Sequence, residues 1–189
     1  VIDNTTNNKT ATATAQVNLR GTTLINPGTS LTINGQVCLV IGPTFTNNGT
    51  LIGTTASTRF YFLGGSGATT YNGSGTVTAP LTAFEVDNVA GVTIDPAVNQ
   101  IITSRFNNFA GGLTGSGKLT IGNGAATTGV IQLGVAGPTN PLTGFDVPPV
   151  FNPGTGGMIN IYAQELTPRT TGNELIPSRT LTTLSVSNT

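Results

Sequence analysis

The chain has 189 residues, enough for one domain with a real core; 26 are Gly, only 7% are charged, His and Trp are absent and the formal net charge is zero. Its cations, Lys9, Lys118, Arg20, Arg59, Arg105, Arg169 and Arg179, are scattered, which argues against a phosphate-binding surface and so against nucleic acid. No apolar run approaches the roughly 20 residues of a bilayer span, so no transmembrane segment is expected, and 37% hydrophobic content without net charge separates the chain from disordered sequences.

Thr, Val and Ile favour pleated surfaces, and Gly, Asn and Pro supply turns. In chain order, short strands are predicted at 16–19, 22–25, 30–33, 37–41, 50–52, 59–63, 75–78, 83–86 and 92–94, then at 100–103, 118–121, 129–133, 158–162 and 181–186. Between them stand Asn26-Pro27-Gly28, Asn34-Gly35, Asn47-Asn48-Gly49, Asn72-Gly73 and Gly122-Asn123-Gly124, residues that accept the positive φ of tight turns. No stretch combines a 3.6-residue apolar period with caps, so essentially no helix is expected. Cys38, inside Val37-Cys38-Leu39-Val40-Ile41, reads as a buried, inert thiol, and one cysteine permits neither an internal disulfide nor a cysteine-based zinc site. Residues 134–157 carry Pro138, Pro141, Pro148, Pro149 and Pro153. Proline removes ladder donors, so this stretch is expected to leave the body as an excursion held down by Phe145, Val147, Val150 and Phe151.

Internal echoes choose among all-β architectures. Leu81-Thr82-Ala83-Phe84-Glu85-Val86-Asp87-Asn88 returns in outline as Leu181-Thr182-Thr183-Leu184-Ser185-Val186-Ser187-Asn188. Val1-Ile2-Asp3 echoes Val92-Thr93-Ile94-Asp95, and Leu31-Thr32-Ile33-Asn34-Gly35 echoes Leu119-Thr120-Ile121-Gly122-Asn123-Gly124. Short strands with unequally spaced echoes point to a parallel β-solenoid, in which insertions bulge out at corners, ahead of the alternative, an antiparallel β-sandwich. The expected organisation is a single solenoid segment over 1–189 with two degenerate repeats, about 1–88 and 89–189, and the excursion at 134–157. Leu31, Ile33, Val37, Leu39, Phe84, Val86, Ile94, Leu119, Ile121, Ile131, Leu133, Leu184 and Val186 are the expected inward residues. Termini that fall within repeats suggest uncapped ends, hence a window of a longer array or a homo-oligomer joined end to end.

Chemistry is sparse. Without His, the usual general base and the commonest metal ligand are missing. Glu85 and Asp87 alternate on one predicted strand, and Asp95 follows a strand later. An acid/base or calcium cluster there, with a cation such as Arg105, would suit a carbohydrate-active β-helix enzyme. The second copy carries Ser185 and Ser187 instead, which favours a solvated strand face. No catalytic residue, cofactor site or metal site is assigned, and an enzyme is not expected. Gly64-Gly65-Ser66-Gly67 and Gly111-Gly112 read as turns, since neither has a phosphate-loop ending. The tracts Thr10-Ala11-Thr12-Ala13-Thr14-Ala15 and Thr54-Thr55 raise ice binding, but Thr-X-Thr at one place in successive coils is not visible in the sequence. In Phe60-Tyr61-Phe62 the expectation is two core rings and an outward Tyr61 able to stack on a sugar.

Phe84-Glu85-Val86-Asp87-Asn88 leading to Gly91-Val92-Thr93-Ile94, the phrase Leu119-Thr120-Ile121-Gly122-Asn123-Gly124, and Thr171-Gly172-Asn173-Glu174-Leu175-Ile176-Pro177 before the terminal motif resemble repeats of large secreted Bacteroidetes surface proteins, adhesin-like and often exported by the type IX route. The resemblance implies an extracellular structural or adhesive solenoid module on a bacterial surface, part of a stalk, fibre or filament, with surface glycans as possible partners. A carbohydrate-active β-helix enzyme and a glycan- or ice-binding module are the alternatives.

Overall fold

A computed structural model describes residues 10–53, 58–64, 67–78, 80–124, 128–134, 142–154, 158–163, 173 and 183–186; for 128, 142–143, 158–159, 162–163 and 183–186 it describes the backbone alone. Every strand pairing among these residues is parallel, as a solenoid requires and an antiparallel sandwich forbids. The chain winds through three faces. The first stacks β1 (Thr10–Thr12), β4 (Ser30–Thr32), β7 (Thr50–Ile52) and β10 (Thr76–Thr78). The second stacks β2 (Val17–Leu19), β5 (Val37–Val40), β8 (Arg59–Leu63), β11 (Leu81–Asp87) and the start of β13 (Ile101–Thr114). The third stacks β3 (Thr23–Ile25), β6 (Thr44–Asn47), β9 (Thr69–Asn72), β12 (Val92–Ile94) and the end of β13. Because β13 turns the corner between them, the second and third faces join as one sheet.

The second face continues through β15 (Thr128–Leu133), β18 (Met158–Ala163) and β19 (Thr183–Val186), with β14 (Leu119–Ile121) and β17 (Val150–Phe151) beside them, and β16 (Leu142–Phe145) extends the third. Among the described residues the one helical piece is a 3-10 turn at Ser116–Lys118.

Register lines up one inward file on the second face: Val17, Cys38, Phe60, Phe84, Phe106, Ile131 and Ile161, with the Leu184 backbone next. Phe84 and Leu184, equivalent in the two copies of the repeated phrase, therefore share a file. Where the file meets the third face, Phe60 stands edge-on to Phe45 and Phe62 with ring centroids 5.0 Å away in each case, and Phe106 lies 4.7 Å from Phe145. Such stacking puts one continuous apolar core along the axis.

Corners are made by residues that tolerate left-handed backbone. Asn34 and Gly35 have φ of 47° and 72°, the Asn-Gly turn expected from the sequence. Gly111, at φ 69°, is a sharper case: a Cβ there would lie 1.9 Å from the Asn88 carbonyl oxygen, so the neighbouring coil closes against bare backbone. Gly111-Gly112 is thus a corner within β13 and does not end the strand.

Three expectations change. Leu31, Ile33, Phe84, Val86, Ile94, Leu119, Ile121, Ile131 and Leu133 are buried, but Val37 and Leu39 stand on the outward files with Arg59 and Tyr61, while Cys38 and Val40 face the core. An unbroken apolar run does not reveal its own register, and a one-residue slip exchanges the faces. Residues 142–145 and 150–151 are ladder strands inside the stretch expected to leave the body. Pro148 and Pro149 stand between these strands and Pro153 beyond them, so no ladder donor is lost. Phe145 and Phe151 are buried as expected, whereas Val147 and Val150 are exposed. The side chains of Leu184 and Val186, the opening Val1-Ile2-Asp3 and Thr54-Thr55 lie outside the described residues.

Candidate functional site

The outer surface of the second face carries the one ion pair found among the described residues. Glu85 occupies an outward position of β11 yet is only 2% exposed. Its neighbours one rung to either side explain this. Arg59 on β8 donates to Oε2 through Nε at 2.9 Å and Nη2 at 2.5 Å, and Asn107 on β13 donates through Nδ2 to Oε1 at 2.5 Å. The expectation of a solvated strand face is therefore corrected at Glu85: its carboxylate is desolvated but held by charge-assisted donors.

Asp87 lies two residues further along β11 and accepts a 2.8 Å hydrogen bond from the Tyr61 hydroxyl. Burial first, then that hydrogen bond and the charge of Asp87, push the Tyr61 phenol well above its ordinary pKa. The register slips between Val86 and Asp87 because Phe109 is an extra residue in β13, a bulge that turns its ring outward to meet Tyr61 edge-on at 6.1 Å. The Arg59 guanidinium carbon lies 5.7 Å from the Tyr61 centroid. Tyr61 is outward as expected, but its ring is already engaged by Arg59 and Phe109, while Phe60 and Phe62 are buried.

Beside this cluster runs an open groove of about 620 Å³, whose lining includes Arg59, Glu85, Arg105, Asn107, Phe109 and Gln132. Of the residues the enzyme reading would bring together, Glu85 and Arg105 share the groove and Asp87 adjoins it on the same strand. Asp95 does not join them. It follows β12 on the third face and closes its own turn by accepting from the Ala97 amide at 2.8 Å. Glu85, engaged by three donors, is an anchor for neighbouring rungs. No group of three acidic, Cys or His side chains placed to hold a metal occurs among the described residues. Sequence reasoning missed Arg59, Asn107 and Phe109. They stand 26 residues before Glu85, and 22 and 24 after it, separations that carry meaning only once the coil lengths are known.

A second surface feature lies on the first face. Thr10, Ser30, Thr50 and Thr76 form one outward file, and Thr12, Thr32, Ile52 and Thr78 the next, with Ala11, Leu31, Leu51 and Val77 between them. Thr10 and Ser30 share a hydrogen bond of 2.7 Å, and the Thr76 hydroxyl donates to that of Thr50 at 3.4 Å. Thr-X-Thr itself stands only on β1 and β10, with Ser-Leu-Thr and Thr-Leu-Ile on the coils between them, but a file of hydroxyl side chains does recur at one place in successive coils. The sequence conceals it because the rungs are separated by 20, 20 and 26 residues.

Two further polar groups are tied into the fold itself. Cys38 is buried, and burial pushes its thiol up to about 12. Asp146 accepts from the Gly115 amide at 2.8 Å, the Ser116 amide at 3.1 Å and the Ser116 hydroxyl at 2.6 Å, tying the 3-10 turn to the segment after β16. Burial opposes ionisation of Asp146, but these hydrogen bonds outweigh it and hold the carboxyl below its ordinary value. No helix among the described residues is long and apolar enough to cross a membrane.

Fold and surface together define a three-faced parallel β-solenoid. Comparison with protein-family models, with curated proteins and with solved structures gives no match.

Proposed function

We propose that this solenoid is a non-enzymatic structural module of an extracellular stalk, fibre or adhesin on a bacterial surface. The observation that carries the reading is the parallel ladder of the second face, which repeats the same inward file from β2 to β18, continues in backbone register to β19, and turns sequence into axial length rung by rung. Parallel strands that pair along an axis satisfy each coil through its neighbours, a construction suited to a spacer. The resemblance to Bacteroidetes surface repeats supports the same placement. Antibodies raised against the chain should label intact source cells, with immunogold standing off the membrane, and surface proteolysis should remove the label. Label seen only after permeabilisation overturns the proposal. The same images test end-to-end assembly: periodic labelling along filaments supports it, and isolated particles oppose it.

The hydroxyl files of the first face favour a second reading, a water-ordering surface. Seven of the eight outward positions on its strands are Thr or Ser and none is charged, so methyl and hydroxyl groups repeat at the rung spacing of about 4.8 Å. An ice-recrystallisation assay tests it. Inhibition should be present in the parent chain and lost in Thr50→Lys, while a parent chain without inhibition ends this reading.

A further inference from the structure

We infer that the groove beside Glu85 is a binding site for an acidic sugar of a glycan, with the sugar carboxylate on Arg105. Three independent features of the groove specify that ligand. The first is charge: Glu85 is matched by Arg59, whereas Arg105 is exposed and its guanidinium has no partner among the described residues. The groove therefore presents one unmatched positive charge in a planar fork suited to a carboxylate.

The second is an orphan acceptor. Asn107 lines the groove and is 4% exposed; its Nδ2 is committed to Glu85, which fixes the amide orientation and leaves Oδ1 with no donor. Buried acceptors are normally satisfied. A ligand hydroxyl, entering as neighbouring side chains move aside, supplies the missing hydrogen. The third is Phe109, which the bulge turns from the ladder into the groove wall, giving an apolar ring for the carbon face of a pyranose.

A sugar suits this surface better than an acidic peptide. The strands beneath the groove, β8, β11, β13 and β15, are each paired on both sides, so no strand edge is free for a peptide main chain to join. Recognition must come from side chains alone. The lining reaches from β8 to β15, three rung spacings or about 14 Å, which accommodates an oligosaccharide.

The site is independent of where the chain is displayed, so its test uses the purified chain. Titration calorimetry with a galacturonate trimer should give saturable binding, and the neutral galactose trimer should give none. Arg105→Ala should weaken the acidic trimer about ten-fold or more. Phe109→Ala should weaken it too, and Arg20→Ala, remote from the groove, should not. Unchanged urea midpoints for Arg105→Ala and Arg20→Ala keep the comparison free of folding effects. Absence of saturable binding to both the galacturonate trimer and a glucuronate-containing trimer overturns the inference, as does equal binding by Arg105→Ala. Equally tight binding of a glutamate-rich peptide would make the groove a simple anion contact and overturn it as well.

Discussion

At the scale of single residues, the buried charge of Glu85 is answered by side chains on the two neighbouring rungs. Removing Arg59 leaves Glu85 buried with Asn107 as its remaining side-chain donor. Breaking a fully buried pair costs about 3–5 kcal/mol. Arg59, however, is 42% exposed, so solvent screening reduces the expected loss for Arg59→Ala to about 1–3 kcal/mol. Glu85→Gln should cost less than Arg59→Ala, because it removes the buried charge along with the pairing. Urea denaturation of the two variants tests that order. Asp146 makes a pH-dependent contribution with a fixed sign. Its folded-state carboxyl ionises below the ordinary value of 3.8, so its stabilisation is complete above that value and is lost as pH falls through the lowered one. Asp146→Asn puts an NH₂ where one carboxylate oxygen accepts amide hydrogens. The parent's advantage over this variant should be constant near neutrality and close only in strong acid. Denaturation midpoints followed downward from pH 6 check this, and a gap that widens in acid contradicts the assignment.

At the scale of elements, legibility followed the strength of the local pattern. Strands such as β8 and β11 were readable because alternating large apolar residues mark them, and Asn34-Gly35 was readable because few other pairs accept its backbone angles. By contrast β1, β6 and β9 (Thr-Ala-Thr, Thr-Phe-Thr-Asn and Thr-Thr-Tyr-Asn) carry little apolar signal and owe their strand state to ladder partners on adjacent coils. The site was half legible for the same reason. Glu85 and Asp87 are visible as an alternating pair, but Arg59, Asn107 and Phe109 join them only through stacking. β5 shows what register adds to composition. Cys38→Ser should bury a hydroxyl between Val17 and Phe60 and cost about 1–3 kcal/mol, whereas Leu39→Ser, on the outward file, should cost less than half of that. Thiol alkylation gives a second check, since a buried thiol raised to about 12 should react slowly in the native chain and rapidly in denaturant. Fast native alkylation would return Cys38 to the outer surface.

At the scale of the whole molecule, a stack of coils behaves as a one-dimensional series in which each rung is stabilised mainly by its two neighbours. Aromatic mass is unevenly spread along that series. Phe45, Phe60, Phe62, Tyr71 and Phe84 are all fully buried and belong to β6, β8, β9 and β11, whereas Thr10–Thr12 is exposed throughout and Val17 and Leu19 are only partly buried. Local opening should therefore be hardest around β8 and β11 and easier toward β1 and β2. Native-state hydrogen exchange should find the slowest amides in β8, β9 and β11. Phe60→Ala, which removes a ring touching Phe45, Phe62, Tyr71 and Phe84, should cost about 3–5 kcal/mol. Its effect should be local, with exchange accelerating in β5, β8 and β11 and changing little in β15 and β18, more than one rung away. Equal acceleration of every protected amide would mean that the coils unfold as one unit, and a nearest-neighbour account of this solenoid would then be wrong.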